Sequence, residues 1–228
     1  MLGLGSSLTP GVPESKYSTV FDGTDDKINC GASTSVVANS ISEVSVMYWI
    51  KTTEADSSKY VFSIKRNASG SAFSSSIQSG KARGIVWSGS EFNFPESTTS
   101  INDGDWHHVA ITAKASSQKV YVDGSLEATT TGSFSMNTSA DTFTIGDHSG
   151  TQFIEMNLSE LAIFNTELDQ DNITAAFNGG KEFNLTFNQG NYDSSSNLTA
   201  YYKMGNGSFD DKANGVIHDQ DNPGFGAE

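Results

Sequence analysis

The feature that most constrains the fold is a strand-like run that is apolar on both faces. In Val44-Ser-Val-Met-Tyr-Trp-Ile-Lys51, a period of two puts Val44, Val46, Tyr48 and Ile50 on one side. Ser45, Met47, Trp49 and Lys51 fall on the other. A strand apolar on both sides has to be covered on both, which places it inside a sandwich whose outer surface is overlaid by loops or by a partner. Residues 106–113 and 119–123 read as a hairpin across the polar link 114–118. Asp123-Gly124 then signals a tight turn, because glycine takes positive φ without steric cost. Residues 143–146 and 158–164 supply two more strands. Strands arriving roughly every 8–12 residues predict an all-β sandwich or jelly roll of two antiparallel sheets.

A single short helix is expected. Asp169 suits the N-cap of a segment at 170–178, in which Ile173, Ala176 and Phe177 share a face. Gly179 stands where a glycine is favoured just past a helix end. The ends differ from this body. Residues 1–14 hold three glycines and two prolines and read as an extended arm. Residues 188–228 are rich in Gly, Asn, Asp and Ser around one apolar cluster at 198–204. The chain thus divides into an N-terminal arm (1–14), a sandwich domain (15–187) and a C-terminal extension (188–228) that packs on the sandwich or on a partner.

With 228 residues the chain is long enough for one sandwich whose core needs no disulfide. Cys30 is the single cysteine, so no intrachain disulfide forms, and a reducing compartment is favoured. A net charge of −14 disfavours nucleic acid and anionic membranes as partners. No apolar run approaches the roughly 20 residues needed to span a bilayer. Met1-Leu2-Gly3-Leu4-Gly5-Ser6-Ser7 lacks the basic start and apolar stretch of a secretory signal, so synthesis and folding in a cytoplasm are expected.

Several segments resemble a known family. Phe21-Asp-Gly-Thr-Asp-Asp-Lys-Ile28 resembles the opening "FDGxDDYV" strand of laminin-G-like, concanavalin A-like jelly rolls. Val46-Met-Tyr-Trp-Ile-Lys51 resembles its "SxWVK" strand. Asp103-Gly-Asp-Trp-His-His-Val-Ala110 with Val120-Tyr-Val-Asp-Gly124 resembles its "WHHVAxT…YVDG" hairpin. Thr144-Ile-Gly146 and Leu158-Ser-Glu-Leu-Ala-Ile-Phe-Asn165 are similar to "IG…GxIDEVRIYN". The motifs keep the family's order over residues 18–180, and the resemblance implies a concanavalin A-like jelly-roll sandwich with one short helix. Asp193-Ser-Ser-Ser-Asn-Leu-Thr-Ala-Tyr-Tyr-Lys-Met-Gly205 resembles the "LVAYWxM…DSSGN" segment that often lies beside such domains. Its continuation through Phe209-Asp-Asp-Lys-Ala213 to Asn222-Pro-Gly-Phe-Gly226 is similar to the C-termini of marine bacteriophage structural proteins. That second resemblance implies a virion protein made in the host cytoplasm.

The fold includes glucanases, whose Glu-x-Asp-x-x-Glu strand sets two carboxylates about 5–5.5 Å apart. No such spacing occurs here, and Glu155 and Glu160 would face opposite ways on a regular strand. The sequence also lacks a nucleophile elbow, a zinc-protease helix motif and a phosphate-cradling glycine loop, so the chain reads as non-enzymatic. His107 and His108 read as packing residues of the hairpin.

No cofactor is required. Calcium is the metal candidate: relatives often hold one ion near the meeting of the first and last strands, where Asp22, Asp25, Asp26 and Glu160 would offer oxygens. The candidate glycan contacts are Trp87, Phe92 and Phe94, aromatics set among Ser, Asn and Gly; alternating aromatics are otherwise packing residues. The leading expectation is a virion structural protein (capsid decoration, coat or fibre module). Its arm and extension would contact the major capsid protein or other copies of itself. The alternative is a carbohydrate-binding adhesin recognising surface glycans.

Overall fold

The computed structural model describes residues 17–32, 37, 41–66, 70–87, 92–134, 142–180, 183–204, 218–219 and 224–227. The arm at 1–14 and most of the segment 205–228 lie outside these residues. Two antiparallel sheets of eight strands face each other. Sheet A runs, in spatial order, β11 (Ser125–Thr130), β10 (Ser117–Val122), β9 (Trp106–Lys114), β3 (Glu43–Lys51), β13 (Glu155–Phe164), β1 (Tyr17–Asp22) and β16 (Gly224–Ala227). The strand β14 (Leu198–Tyr202) pairs with β13 beyond the end of β1. Sheet B runs β15 (His218–Asp219), β2 (Ile28–Ala32), β12 (Thr142–Ile145), β4 (Lys59–Arg66), β5 (Gly70–Gln78), β6 (Lys81–Trp87) and β7 (Phe92–Asn93). The strand β8 (Glu96–Ser100) also pairs with β6.

The alternation read in β3 holds. Val44, Val46, Tyr48 and Ile50 point into the core between the sheets, with Phe62, Phe73, Ile111, Phe143 and Leu158. The Tyr48 hydroxyl lies in that core and is satisfied by Ser75 Oγ of the opposite sheet at 2.6 Å. Burial pushes the Tyr48 phenol up, so it stays a neutral hydrogen-bonding group.

The other face of β3 carries Met47, which joins a second apolar cluster with Ala110, Tyr121, Ala162 and Phe164. Its cover comes from the chain itself. The helix α1 (Gln170–Phe177) lays Ile173 and Ala176 on this face, and Leu185, Tyr192, Leu198 and Tyr201 complete the lid. Asp169 caps the helix, its carboxylate accepting from Asn172 N at 2.9 Å. The left-handed residue at the other end is Asn178 (φ 49°), one position before the expected glycine. Asn tolerates this conformation through its short polar side chain.

Two local features depart from a regular reading. The link between β9 and β10 is shorter than expected, since pairing continues to Lys114 and resumes at Ser117. In β13 the register against β3 slips between Ser159 and Ala162, and Glu160 takes φ 55°. This bulge places both Leu158 and Leu161 in the inner core, three residues apart, so the expected opposition of Glu155 and Glu160 does not hold across it. The Asp123-Gly124 turn is as expected, with φ 49° and 76°. A Cβ on Gly124 would sit 2.9 Å from the Phe177 ring, so this turn also leaves room for the helix.

Candidate functional site

The outer face of sheet B is built from small polar residues. On β5, Phe73 and Ile77 point inward, which sends Ser74 and Ser76 outward. Ser63 on β4 lies opposite Ser74, Thr144 on β12 lies opposite Ser63, and Arg83 on β6 lies opposite Ser76. The three serines are buried beneath larger neighbours. On one side the His148 ring stacks on Tyr60 with centroids 4.5 Å apart, and its Nδ1 lies 2.9 Å from Ser63 Oγ. Burial holds His148 below the usual imidazole range, helped by the Lys65 ammonium, so it is neutral at physiological pH.

On the other side β6 sends Lys81, Arg83, Ile85 and Trp87 outward, because Ala82 and Val86 belong to the inner core. Arg83 Nη1 donates to Gln78 Oε1 at 2.8 Å, and the guanidinium carbon lies 4.2 Å from the centre of the Phe94 ring. Phe94 is exposed. Of the three aromatics read as glycan contacts, Trp87 is half-buried on this face and Phe92 lies opposite it in register on β7, its side chain outside the described residues. Phe94 is tied to Arg83. The spacing of a strand puts Arg83 and Trp87 roughly 13 Å apart along β6. Tyr60, His148, Arg83 and the serine floor were not read from the sequence. The signal was the alternation of residues 73–78, with apolar positions only at 73 and 77.

The paired histidines sit at the end of sheet A. His107 Nδ1 lies 2.8 Å from Asp123 Oδ2, and its Nε2 lies 3.2 Å from Asp103 Oδ1. The Asp123 hydrogen bond outweighs burial and raises the His107 pKa. Asp123 Oδ1 also accepts from His108 N, so this carboxylate ties the hairpin turn to β9. His108 points outward between Trp49 and Phe177, with ring centroids at 5.3 and 6.0 Å. Burial pushes it down to about 4. Both histidines are thus used in packing, as the sequence reading has it.

Among the described residues, Asp22, Asp25 and Asp26 bring ligand-type oxygens within 4.8 Å of one another. Glu160 is not in this group; it is buried in the bulge of β13. The Asp26 carboxylate accepts from Asp22 N at 2.9 Å, and Asp22 Oδ1 accepts from Thr24 N at 2.7 Å. These bonds shape the loop after β1. A cleft of about 490 Å³ beside it is lined by Phe21, Asp22, Lys51, Thr52, Glu155 and Met156, among others. Asp22 and Glu155 are cross-strand partners there and both are exposed.

No curated protein matches the chain. Among solved structures, a Bacteroides ovatus protein assigned a carbohydrate-binding role matches with a TM-score of 0.62 at 14% identity, covering 92% of this chain and 61% of that one. A heptameric SAP-like pentraxin from Limulus polyphemus matches with a TM-score of 0.59 at 17% identity, over 73% of this chain and 84% of that one. Domain 4 of AbnA, a GH43 extracellular arabinanase from Geobacillus stearothermophilus, solved with arabinotriose, matches at 0.56 and 19% identity, over 69% and 75%. These likenesses show a shared fold. The profile of the Concanavalin A-like lectin/glucanases superfamily matches residues 22–174, through both sheets and into α1, and the chain belongs to that superfamily.

Proposed function

We propose that the protein is a non-catalytic glycan-binding module whose ligand face is the outer surface of sheet B. The observation that carries this reading is the composition of that face. A floor of Ser63, Ser74 and Ser76 lies between the Tyr60–His148 stack and the Arg83–Phe94 pair, with Trp87 at one end. Saccharides are held by aromatic rings against their C–H faces and by polar groups against their hydroxyls, and the rim around the buried serines offers both, in Trp87 and Phe94 and in Gln78, Lys81 and Arg83. The outer surface of sheet A is closed by the chain's own lid. The Bacteroides protein and the arabinanase domain, one assigned to carbohydrate binding and one solved with an arabinotriose, support the reading as relatives in fold.

A glycan array tests it. Saturable binding that disappears in Trp87→Ala, with the variant's melting temperature kept, is the expected result; an array with no binding would refute the reading. The setting we propose for the module is the surface of a phage particle, as a decoration or fibre component made in the host cytoplasm. The resemblance of residues 209–226 to the C-termini of phage structural proteins supports it. Residues 1–14 and the C-terminal extension would then contact the major capsid protein or other copies of the chain. Deleting 1–14 should abolish incorporation into particles and leave the sandwich folded; normal incorporation would remove that role. Calcium has no part in this reading, because the proposed glycan contacts lie on sheet B and the clustered Asp22, Asp25 and Asp26 lie at the end of β1 and in the loop after it.

A further inference from the structure

We infer that the glycan taken by the outer face of sheet B is acidic, and that Arg83 is the residue that reads its carboxylate. This rests on the glycan-binding reading and names the ligand class within it.

The charge distribution points there first. The chain carries 13 basic and 27 acidic residues. Strands β4 to β8 reverse that balance: they hold Lys59, Lys65, Arg66, Lys81 and Arg83 against the single carboxylate Glu96. Lys65, Lys81 and Arg83 lie at outward positions, two of them along β6 and the third beside His148. A local positive field on a strongly negative molecule concentrates anionic ligands at that face and repels them elsewhere.

Arg83 is held in a form suited to a carboxylate. Gln78 takes one Nη1 proton at 2.8 Å and is itself anchored through Nε2 to Ser57 Oγ at 2.8 Å. Phe94 supports the plane of the guanidinium from one side. The nearest carboxylate, Glu96, stands 3.9 Å from Nε, beyond hydrogen-bond reach, and the buried Nε has no hydrogen-bond partner among the described residues. Ser76 Oγ, in register beside Arg83 and 1% exposed, also lacks one. A planar fork of donors that is oriented, three-quarters covered and incompletely paired is the geometry that binds carboxylate in two parallel hydrogen bonds. Lys65 and Lys81 strengthen the field without fixing geometry, and Trp87 lies far enough along β6 to stack on another ring of the same chain.

The test uses the full-length protein and ligand pairs that differ in the charge of a carboxylate: trigalacturonate and its methyl ester, each titrated by calorimetry, with 3′-sialyllactose and its methyl ester as a second pair. The acid members should bind at least about tenfold more tightly than the neutral ones, with a preference that shrinks as salt rises. Arg83→Gln should abolish the preference, bringing the affinities for acid and ester to within about twofold of each other. Glu96→Gln, which removes the one competing carboxylate, should raise the acid's affinity severalfold and serves if Arg83→Gln folds poorly. Equal binding of acid and ester, or a preference that survives Arg83→Gln in folded protein, would overturn the assignment while leaving glycan binding intact. Tighter binding of sulfated than carboxylated sugars, unaffected by Arg83→Gln, would overturn it also. Absence of binding to every saccharide, neutral ones included, would instead refute the glycan-binding reading itself.

Discussion

The two sheets share a core, but their outer surfaces are treated in opposite ways. Sheet A presents Met47, Ala110, Tyr121, Ala162 and Phe164 outward, and the chain then spends α1 and residues 183–201 on covering them. Sheet B presents Ser63, Ser74, Ser76 and Thr144 at the corresponding positions of its central strands, with aromatics and cations around them. The difference teaches where each kind of surface can serve. An apolar face left open would aggregate, so sheet A is sealed and contributes stability. On sheet B the serines are themselves buried, and the larger side chains around them, Arg83, Trp87 and Phe94, reach the surface.

The largest effect should come from breaking the seal. Phe164 is fully buried against Tyr192, and Phe164→Ala should cost about 3–5 kcal/mol in urea denaturation. A cost below about 1 kcal/mol would mean that the lid does not pack as described.

The second effect is one of pH. His108 lies under the lid, and its folded pKa of about 4 is below the unfolded value near 6.5. The native state therefore binds this proton less readily than the unfolded chain does. Its contribution is complete above pH 6.5 and is lost as pH falls toward 4, by about 3 kcal/mol. His107 has the opposite sign: its raised pKa adds stability at acid pH that is lost as pH rises through the folded value. Stability measured between pH 6.5 and 4 should fall less steeply in His108→Phe, which keeps the stack on Trp49 and removes the titrating group. An unchanged slope would contradict this.

Sheet B should respond weakly. Ser74→Ala removes a 3.4 Å hydroxyl contact with Ser63 and should cost less than about 1 kcal/mol by thermal denaturation. The smallest effect is expected from metal. Chelation with EDTA should leave the melting temperature unchanged, and a calcium-dependent rise that vanishes in Asp25→Asn would reverse that expectation.

Much of this contrast was legible before the structure. A period of two in residues 44–51 marks a strand covered on both sides, and the hairpin at 106–124 marks the family. The helix was legible because Asp169 and a shared apolar face announce it locally. The lid's last strand was not. Leu198–Tyr202 looks like an isolated apolar cluster in a polar tail, and only pairing with β13 over a long sequence separation makes it part of both clusters. The bulge at Glu160 also has no local signature, since nothing in the run 155–164 marks where alternation slips. The proposed recognition face was read only at Trp87, Phe92 and Phe94. Tyr60, Ser63, Arg83 and His148 come from three separate elements, and no spacing in the chain shows that they converge.

The central claim is that recognition lies on sheet B and sealing on sheet A. Hydrogen–deuterium exchange with and without a saturating array-selected glycan tests it most directly. The account predicts new protection confined to residues 59–66, 73–87 and 92–96, with α1 and residues 183–201 unchanged. Protection that instead appears over α1 and 183–201, with sheet B unchanged, would contradict it.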